Sequence, residues 1–342
     1  MISSRSYIFI SWYEPDYSRS GVKLRGLQES NANVYFERVP LGVISSFQAI
    51  RRILKIKSNS RFIVMSPCHL LVPIAFIAGA RNVVLDAGWP LLDSTRLRND
   101  RARFWVKILK ISISSAIDFL SFNLANLVFL ESKEQIIRLR KCGIRSKKFQ
   151  VSYTGFNELQ MRRNLENKMS KTLEVPKEFI LFRGSINNES GLDFLLELAS
   201  NLRPGLHLVL ATSGEQELKE IQIKLPSQLV LITGYRSEAE LEELYKKCQF
   251  AIGQFGRVSR TDVTIPHKFF EAAYHGKAYL SPPRKALLEL LPRECGFFVD
   301  ETEPATIAKI IDQEITTKAR LRRYEDEIRI LYLSLIHISE PT

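Results

Sequence analysis

Short apolar runs of strand length alternate with longer amphipathic stretches along most of this chain. Tyr7 to Trp12 is the first such run, followed by the polar loop YEPDYSRSG and a helical stretch from about Ser20. A strand at Val34 to Val39 precedes a helix at Ser45 to Lys55, and a strand at Arg61 to Ser66 precedes a helix around His69 to Gly79. Strands at Asn82 to Asp86, Asn126 to Glu131 and Phe149 to Tyr153 complete the first half. Strands separated by helices predict a mostly parallel sheet covered on both faces, with ligands bound at the carboxyl ends of the strands.

Thr154 to Glu178 is polar and has no long apolar period, so it reads as a linker or surface excursion. Alternation then restarts with a strand at Phe179 to Phe182, a helix at Gly191 to Leu202 and a strand at Leu206 to Ala211. A helix from Glu215, a strand at Leu229 to Ile232, a helix at Glu238 to Lys247 and a strand at Phe250 to Gly253 follow. Pro283 to Leu291 and Glu303 to Glu314 read as helices, and a last helix from about Thr317 to Leu331 places Leu321, Tyr324, Ile328 and Leu331 on one face. The expected division is an α/β domain over 1–155, the excursion over 156–178, a second α/β domain over 179–314 and a closing helix over 315–332. The stretch LSLIHISEPT, 333–342, looks like the in-frame translation of a sequencing-library adapter and is set aside from the fold, with the native C-terminus expected to be missing.

The richest chemistry lies in TIPHKFFEAAYHGKAYLS, Thr264 to Ser281, which reads as a loop, a short helix and a buried strand. Pro266 suits the first helical position and Gly276 the left-handed residue beyond the helix end. Phe269, Phe270, Ala273 and Tyr274 offer a core-facing side, while Lys268 and Glu271 share another face. A lysine in the first turn opposes the helix dipole unless an anion sits at that end, where free N–H groups also point. A diphosphate would resolve the conflict, and the two oxygens of Glu271 could accept both hydroxyls of a ribose. A solvated Lys268–Glu271 pair is the plainer alternative.

The pattern of proline, Lys268, Glu271, Ala273, Gly276 and Lys277 before an apolar strand resembles the donor-binding segment of family 4 and related GT-B glycosyltransferases. That resemblance implies two Rossmann-like doubly wound domains facing across a cleft. It implies a sugar transferred from a nucleotide-sugar donor with retained configuration, no metal and no separate cofactor. In that family the glutamate holds the donor ribose and basic groups neutralise its diphosphate. FILFRGSINNESGLDFLLELASNL, Phe179 to Leu202, resembles the family's strand, glycine loop and helix, which assigns Gly184 and Ser185 to the phosphate loop and Gly191 to the helix start. The family usually has an arginine and a lysine where this chain has Ser185 and Ser190, leaving Lys268, backbone N–H groups and Arg257 or Arg260 for the diphosphate. Arg183 falls one position early, where strand alternation points it elsewhere. The family's commonest pattern also has a glutamate eight positions before Glu271, where this chain has Val263, and Asp262 or backbone groups stand nearby; relatives with the proline-x-lysine-x-x-glutamate form often lack it.

In the first half, Asp86 ends a strand and is the candidate polar contact or base toward the acceptor or sugar, with His69 second. Each alone also fits a structural role, as a turn cap or a helix start. By the same resemblance Arg19 and Gly21 sit in a first loop that faces the cleft, Gly155 marks the crossing between domains, and the last helices return to the first domain.

Charge separates the halves. Met1 to Gly155 carries 24 Lys and Arg against 10 Asp and Glu, whereas the remainder carries 25 against 27. The first half therefore meets an anionic surface or ligand. RLRNDRARFWVKILK, Arg96 to Lys110, holds six basic residues interleaved with Phe104, Trp105, Ile108 and Leu109. It suits an anionic bilayer, or else a long helix whose apolar side packs on its own sheet. Cys68, Cys142, Cys248 and Cys295 lack paired metal or redox spacing and read as reduced thiols of a cytosolic protein. No apolar run is long enough for a signal peptide or a membrane span. The expectation is a cytoplasmic enzyme, working at the inner face of the cytoplasmic membrane if the basic helix docks there, on a cell-envelope glycan or lipid-linked acceptor. Its rivals are a sugar-nucleotide epimerase of the same fold, a degenerate binding subunit and a basic nucleic-acid-binding protein, although no nucleic-acid motif is present.

Overall fold

The computed structural model describes residues 6–15, 19–30, 32–57, 60–98, 104–144, 148–155, 173–212, 225–234, 236–300 and 302–337. The chain divides into two compact units, Met1–Thr154 and Gly155–Thr342. The helix expected from Glu215 and most of the 156–178 excursion lie outside the described residues.

The first unit is a six-stranded parallel sheet, ordered β2-β1-β3-β4-β5-β6. Its strands are β1 (Tyr7–Ser11), β2 (Val34–Arg38), β3 (Arg61–Met65), β4 (Val83–Gly88), β5 (Leu127–Leu130) and β6 (Phe149–Val151). Its helices are α1 (Arg19–Glu29), α2 (Val43–Ile56), α3 (Leu71–Ala78), α4 (Leu91–Arg98), α5 (Phe104–Leu124) and α6 (Lys133–Lys141). Ile8, Ile10, Phe62, Val64, Val83 and Leu85 bury one face of the sheet against Ile50, Leu71, Val72 and Phe122. Phe9, Ile63, Met65 and Val84 bury the other against Leu24. Strands buried on both faces explain why these runs are continuously apolar rather than alternating. The order of strands reverses between β1 and β3, and in open parallel sheets the crevice at such a reversal is where ligands bind.

The second unit holds a five-stranded sheet, ordered β11-β10-β7-β8-β9, with every pairing parallel. Its strands are β7 (Glu178–Arg183), β8 (Leu206–Thr212), β9 (Leu229–Thr233), β10 (Ala251–Ile252) and β11 (Tyr279–Leu280). Its described helices are α7 (Leu192–Asn201), α8 (Glu238–Lys247), α9 (His267–Tyr274), α10 (Lys285–Leu288), α11 (Pro304–Thr317) and α12 (Ala319–His337). The reversal here falls between β7 and β10. α8 starts at a capping box, in which the Ser237 hydroxyl accepts from the Glu240 N–H and Glu240 reaches back to the Ser237 N–H.

Two boundaries differ from expectation for clear reasons. The helix expected over Pro283 to Leu291 contracts to Lys285–Leu288, because consecutive prolines precede it and Pro292 forbids continuation. The last helix runs on to His337, into the segment set aside as adapter-like, where Leu333 and Ser334 are exposed. Its apolar face, with Leu321, Ile328 and Tyr332 buried, packs on α9 and α11, so it braces the helix carrying Lys268 and Glu271. Tyr332 meets Tyr274 edge-on at 5.6 Å, and Tyr324 stacks on Phe297 at 5.3 Å. These contacts lie within the second unit.

Candidate active site

α9 is short and almost wholly buried, which places its two charged residues in the protein rather than in solvent. Phe269 and Phe270 anchor it, and burying each ring contributes roughly 1.5–3 kcal/mol. Pro266 is the N-cap rather than the first helical residue. At the other end Gly276, at φ +60°, closes a Schellman turn in which the Lys277 N–H donates to Ala272 and the Gly276 N–H to Ala273.

Lys268 is 8% exposed, and its Nζ lies 3.6 Å from the centroid of the Phe182 ring. Among the described residues no carboxylate comes within ion-pair distance of it. Burial, reinforced by the positive charge of Arg183 and only partly offset by Glu271 and Glu189, lowers its pKa from 10.5 to about 7. Gly184 is what makes room for this ammonium. It sits at φ +137° just beyond β7, and a Cβ there would lie 3.1 Å from Lys268 Nζ. Lys268 and Gly184, far apart in the chain, are thus neighbours at the carboxyl end of the central strand.

Glu271 is 4% exposed and is not a solvated partner of Lys268. Its Oε1 takes Arg183 Nη1 at 2.7 Å and lies 3.0 Å from His267 Nδ1, while its Oε2 accepts from the Tyr245 hydroxyl at 3.1 Å. Arg183 was expected to point elsewhere. Because β7 is buried on both faces, alternation carried no information there, and the arginine at its last position turns into the site. Tyr245 and His267 were not singled out either. A tyrosine on a helix of Glu and Lys gave only a weak signal, whereas His267, four residues before Glu271 on the same helix, was a readable spacing.

The glycine loop is closed by contacts that explain its serines. Ser190 is fully buried; its hydroxyl donates to the Asn187 carbonyl at 2.6 Å and accepts from the Asn187 N–H at 3.1 Å. It folds the loop rather than facing a ligand. Ser185 is exposed. The loop presses on the segment after β10, with the Gly256 N–H donating to Glu189 and the Phe255 N–H to Ser190. Any Cβ at Gly256 would sit 2.0 Å from the Asn188 oxygen, and one at Gly191 would sit 2.8 Å from the Gly256 nitrogen. Arg257, immediately beyond, is exposed, whereas Arg260 is drawn into an ion pair with Glu189 at 3.0 Å. Val263 is buried, and Asp262 pairs with Arg284 at 3.3 Å.

In the first unit Asp86 is fully buried, and its Oδ1 is shared by Arg19 Nε at 2.9 Å and Lys23 Nζ at 2.6 Å. A carboxylate with no exposed surface and two cations on one oxygen is a poor base toward a substrate; it reaches one only through Arg19 and Lys23. His69 is fully buried, packs edge-on against Phe122, and is pushed down to about 4 by desolvation, so it is neutral at pH 7. Gly155 stands at φ +71° at the start of the second unit.

Residues 164–329 match the family described as glycosyl transferases group 1. That match lies within the second unit. The whole chain is similar to solved structures at low identity. HepE from Anabaena, solved with UDP-glucose, is 12% identical over 98% of this chain and 97% of its own, with a TM-score of 0.69. A UDP-forming α,α-trehalose-phosphate synthase from Burkholderia xenovorans is 9% identical over 98% of each chain, with a TM-score of 0.63. A Listeria monocytogenes protein provisionally assigned as a UDP-N-acetylglucosamine 2-epimerase is 10% identical over 98% of this chain and 95% of its own, at 0.54. Among curated proteins no sequence match emerges. The fold is GT-B, with two Rossmann-like units, and the family match in the second unit supports glycosyl transfer as the activity.

A buried lysine with a depressed pKa holds more protons unfolded than folded between pH 7 and 10.5, so its contribution to stability improves as pH rises through that window. Lys268→Met should therefore stabilise the glycosyltransferase at pH 7, by about 1 kcal/mol or more, while removing nucleotide diphosphate binding. Thermal melts beside calorimetric titrations check this, and a lowered melting temperature would show that the lysine is held by the fold alone.

Proposed function

We propose that the chain moves a sugar from a nucleoside diphosphate sugar to a glycan or lipid-linked acceptor of the cell envelope. The observation that carries this reading is the pair of cations at the carboxyl end of β7: buried Lys268, with no carboxylate of the described residues within ion-pair distance, feels the charge of half-buried Arg183, which itself pairs with Glu271, beside the φ-positive Gly184. A diphosphate supplies the negative charge this arrangement lacks. In the transfer, the anomeric C–O bond breaks with its electron pair going to the diphosphate, the acceptor oxygen bonds the anomeric carbon, and the acceptor proton leaves with the diphosphate. Lys268 and Arg183 would stabilise the charge that develops on the leaving group. With two cations in that role the reading needs no metal, and it keeps retention of configuration as part of the proposal. UDP is the first base to test, since HepE was solved with UDP-glucose.

Glu271 acts in two ways on this account. Its Oε1 fixes Arg183 and His267, and a ribose diol reaching Oε2 would compete with the Tyr245 hydroxyl. Glu271→Gln keeps the shape but removes the carboxylate charge paired with Arg183, so acceptor-dependent release of UDP from a UDP-sugar should fall at least tenfold. Unchanged turnover would sink the assignment. Conversion of the donor sugar without any acceptor would move the reading to an epimerase, and binding without turnover would make the chain a degenerate subunit.

The lipid-linked character of the acceptor rests on α5. Phe122 packs into the sheet, but along the rest of α5 Phe104, Trp105, Leu109, Ile113 and Phe119 are 69%, 76%, 60%, 51% and 57% exposed, and Lys107 and Lys110 lie among them. An apolar patch set in basic residues is matched by an anionic bilayer, which supports docking at a membrane surface. No described helix is long and apolar enough to cross a membrane. Trp105→Glu with Leu109→Glu should abolish co-sedimentation with vesicles of phosphatidylglycerol and leave folding intact. Equal binding to purely zwitterionic vesicles, or no loss in the double variant, would contradict the proposal.

A further inference from the structure

Arg19 opens α1 with a side chain only 4% exposed, yet it bonds the protein at one end alone. Its Nε is fixed on Asp86 Oδ1, while Nη1 and Nη2 are buried and have no hydrogen-bond partner among the described residues. A guanidinium kept for packing or pairing normally spends its outer nitrogens, because a buried donor without a partner costs about 1–3 kcal/mol. Beside it the Ser66 hydroxyl, just past β3, is likewise buried and without a partner. Gly88, at the end of β4 with φ +65°, separates the two: a Cβ there would stand 3.2 Å from Arg19 Cδ and 3.7 Å from Ser66 Oγ. Lys23, one turn along α1, shares the same Asp86 oxygen and lies 5.1 Å from the Phe129 ring centroid. The cluster sits beside the reversal of strand order between β1 and β3, and the first turn of α1 carries no acidic residue.

We infer that Arg19, Ser66 and Lys23 form an anion site at the carboxyl ends of β3 and β4, and that it takes a phosphate group of the acceptor. Two coplanar Nη donors held by one anchored Nε fit a pair of phosphate oxygens, and the Ser66 hydroxyl can donate to a third. Asp86 is the positioning residue. It fixes the guanidinium plane through Nε and steadies Lys23, which burial lowers to about 8 and which therefore stays mostly charged at pH 7. The other acidic group bearing on Lys23, Glu131, accepts the Thr154 hydroxyl at 2.7 Å and is directed to that partner. Gly88 keeps the approach to both donors clear. A phosphorylated acceptor agrees with the basic first half of the chain. The proposal rests on the glycosyltransferase reading only in attributing the anion to the acceptor; the site itself is argued from the first unit.

The test titrates the full chain with inorganic phosphate, read by ³¹P line broadening and thermal shift, with and without UDP. Wild type should bind phosphate in the millimolar range, Arg19→Gln should weaken it at least tenfold, and Ser66→Ala about threefold with an unchanged melting temperature. Added UDP should leave phosphate binding as it was. Absence of phosphate binding in wild type, or full binding in both variants, would overturn the site. Displacement of phosphate by UDP would assign the anion to the donor and overturn the acceptor role. UDP binding, read in the same samples, reports separately on the second unit and keeps the two readings apart.

Discussion

A buried ammonium, Lys268, stands beside the half-buried Arg183 at the end of the central strand of the second unit, with no carboxylate of the described residues within ion-pair distance of it, and the local structure follows from that imbalance. Lys268 and Arg183 cannot both be neutralised by Glu271, whose oxygens also serve His267 and Tyr245. The ammonium is tolerated because Gly184 gives it room, Phe182 offers it a ring face, and its pKa gives way. Burying charge without full compensation weakens the fold, so a short helix bearing it must be anchored elsewhere. Phe269 and Phe270 supply that anchor below, and α12 braces the same helix through Tyr332 and Tyr274. Destabilisation at a site, supported by packing around it, is the pattern expected where a ligand supplies the missing charge.

The first unit solves a related problem by different means. One buried carboxylate, Asp86, collects two cations, and the arginine is left with its outer donors unspent. Both clusters lie at carboxyl ends of parallel strands beside a reversal of strand order, where helix N-termini and loop backbones converge. A parallel sheet leaves its interior for apolar side chains, so polar chemistry collects at that edge.

The sequence made the architecture legible because buried parallel strands are continuous apolar runs and the helices between them are amphipathic. It was poorer where both faces are buried. Alternation misdirected Arg183, since β7 has no solvent face to contrast with. Lys268, Glu271 and Gly184 were readable from helix position and glycine placement, and His267 from its i, i+4 spacing, but Arg183 and Tyr245 as partners of Glu271 were not, because they come from β7 and α8. Asp86 and His69 were picked out by residue type and strand position, which carry no measure of burial; both proved inaccessible. Ser190 stood out as a missing cation and is instead the latch of its loop. The exposure of apolar side chains along α5 was not legible from composition, which favoured a helix packed on its own sheet.

The most direct measurement is calorimetric titration with UDP, GDP, ADP and CDP at pH 6.5 to 8.5, in buffers of different ionisation enthalpy. An anion at Lys268 favours its charged form, so the free lysine, at about 7, must take up a proton on binding. The account predicts that one nucleotide binds, that proton uptake appears as pH rises past 7, and that affinity falls up to about tenfold per pH unit there. Binding with no proton uptake and no pH dependence, or no binding by any of the four, would contradict the claim that the buried lysine is held for a diphosphate.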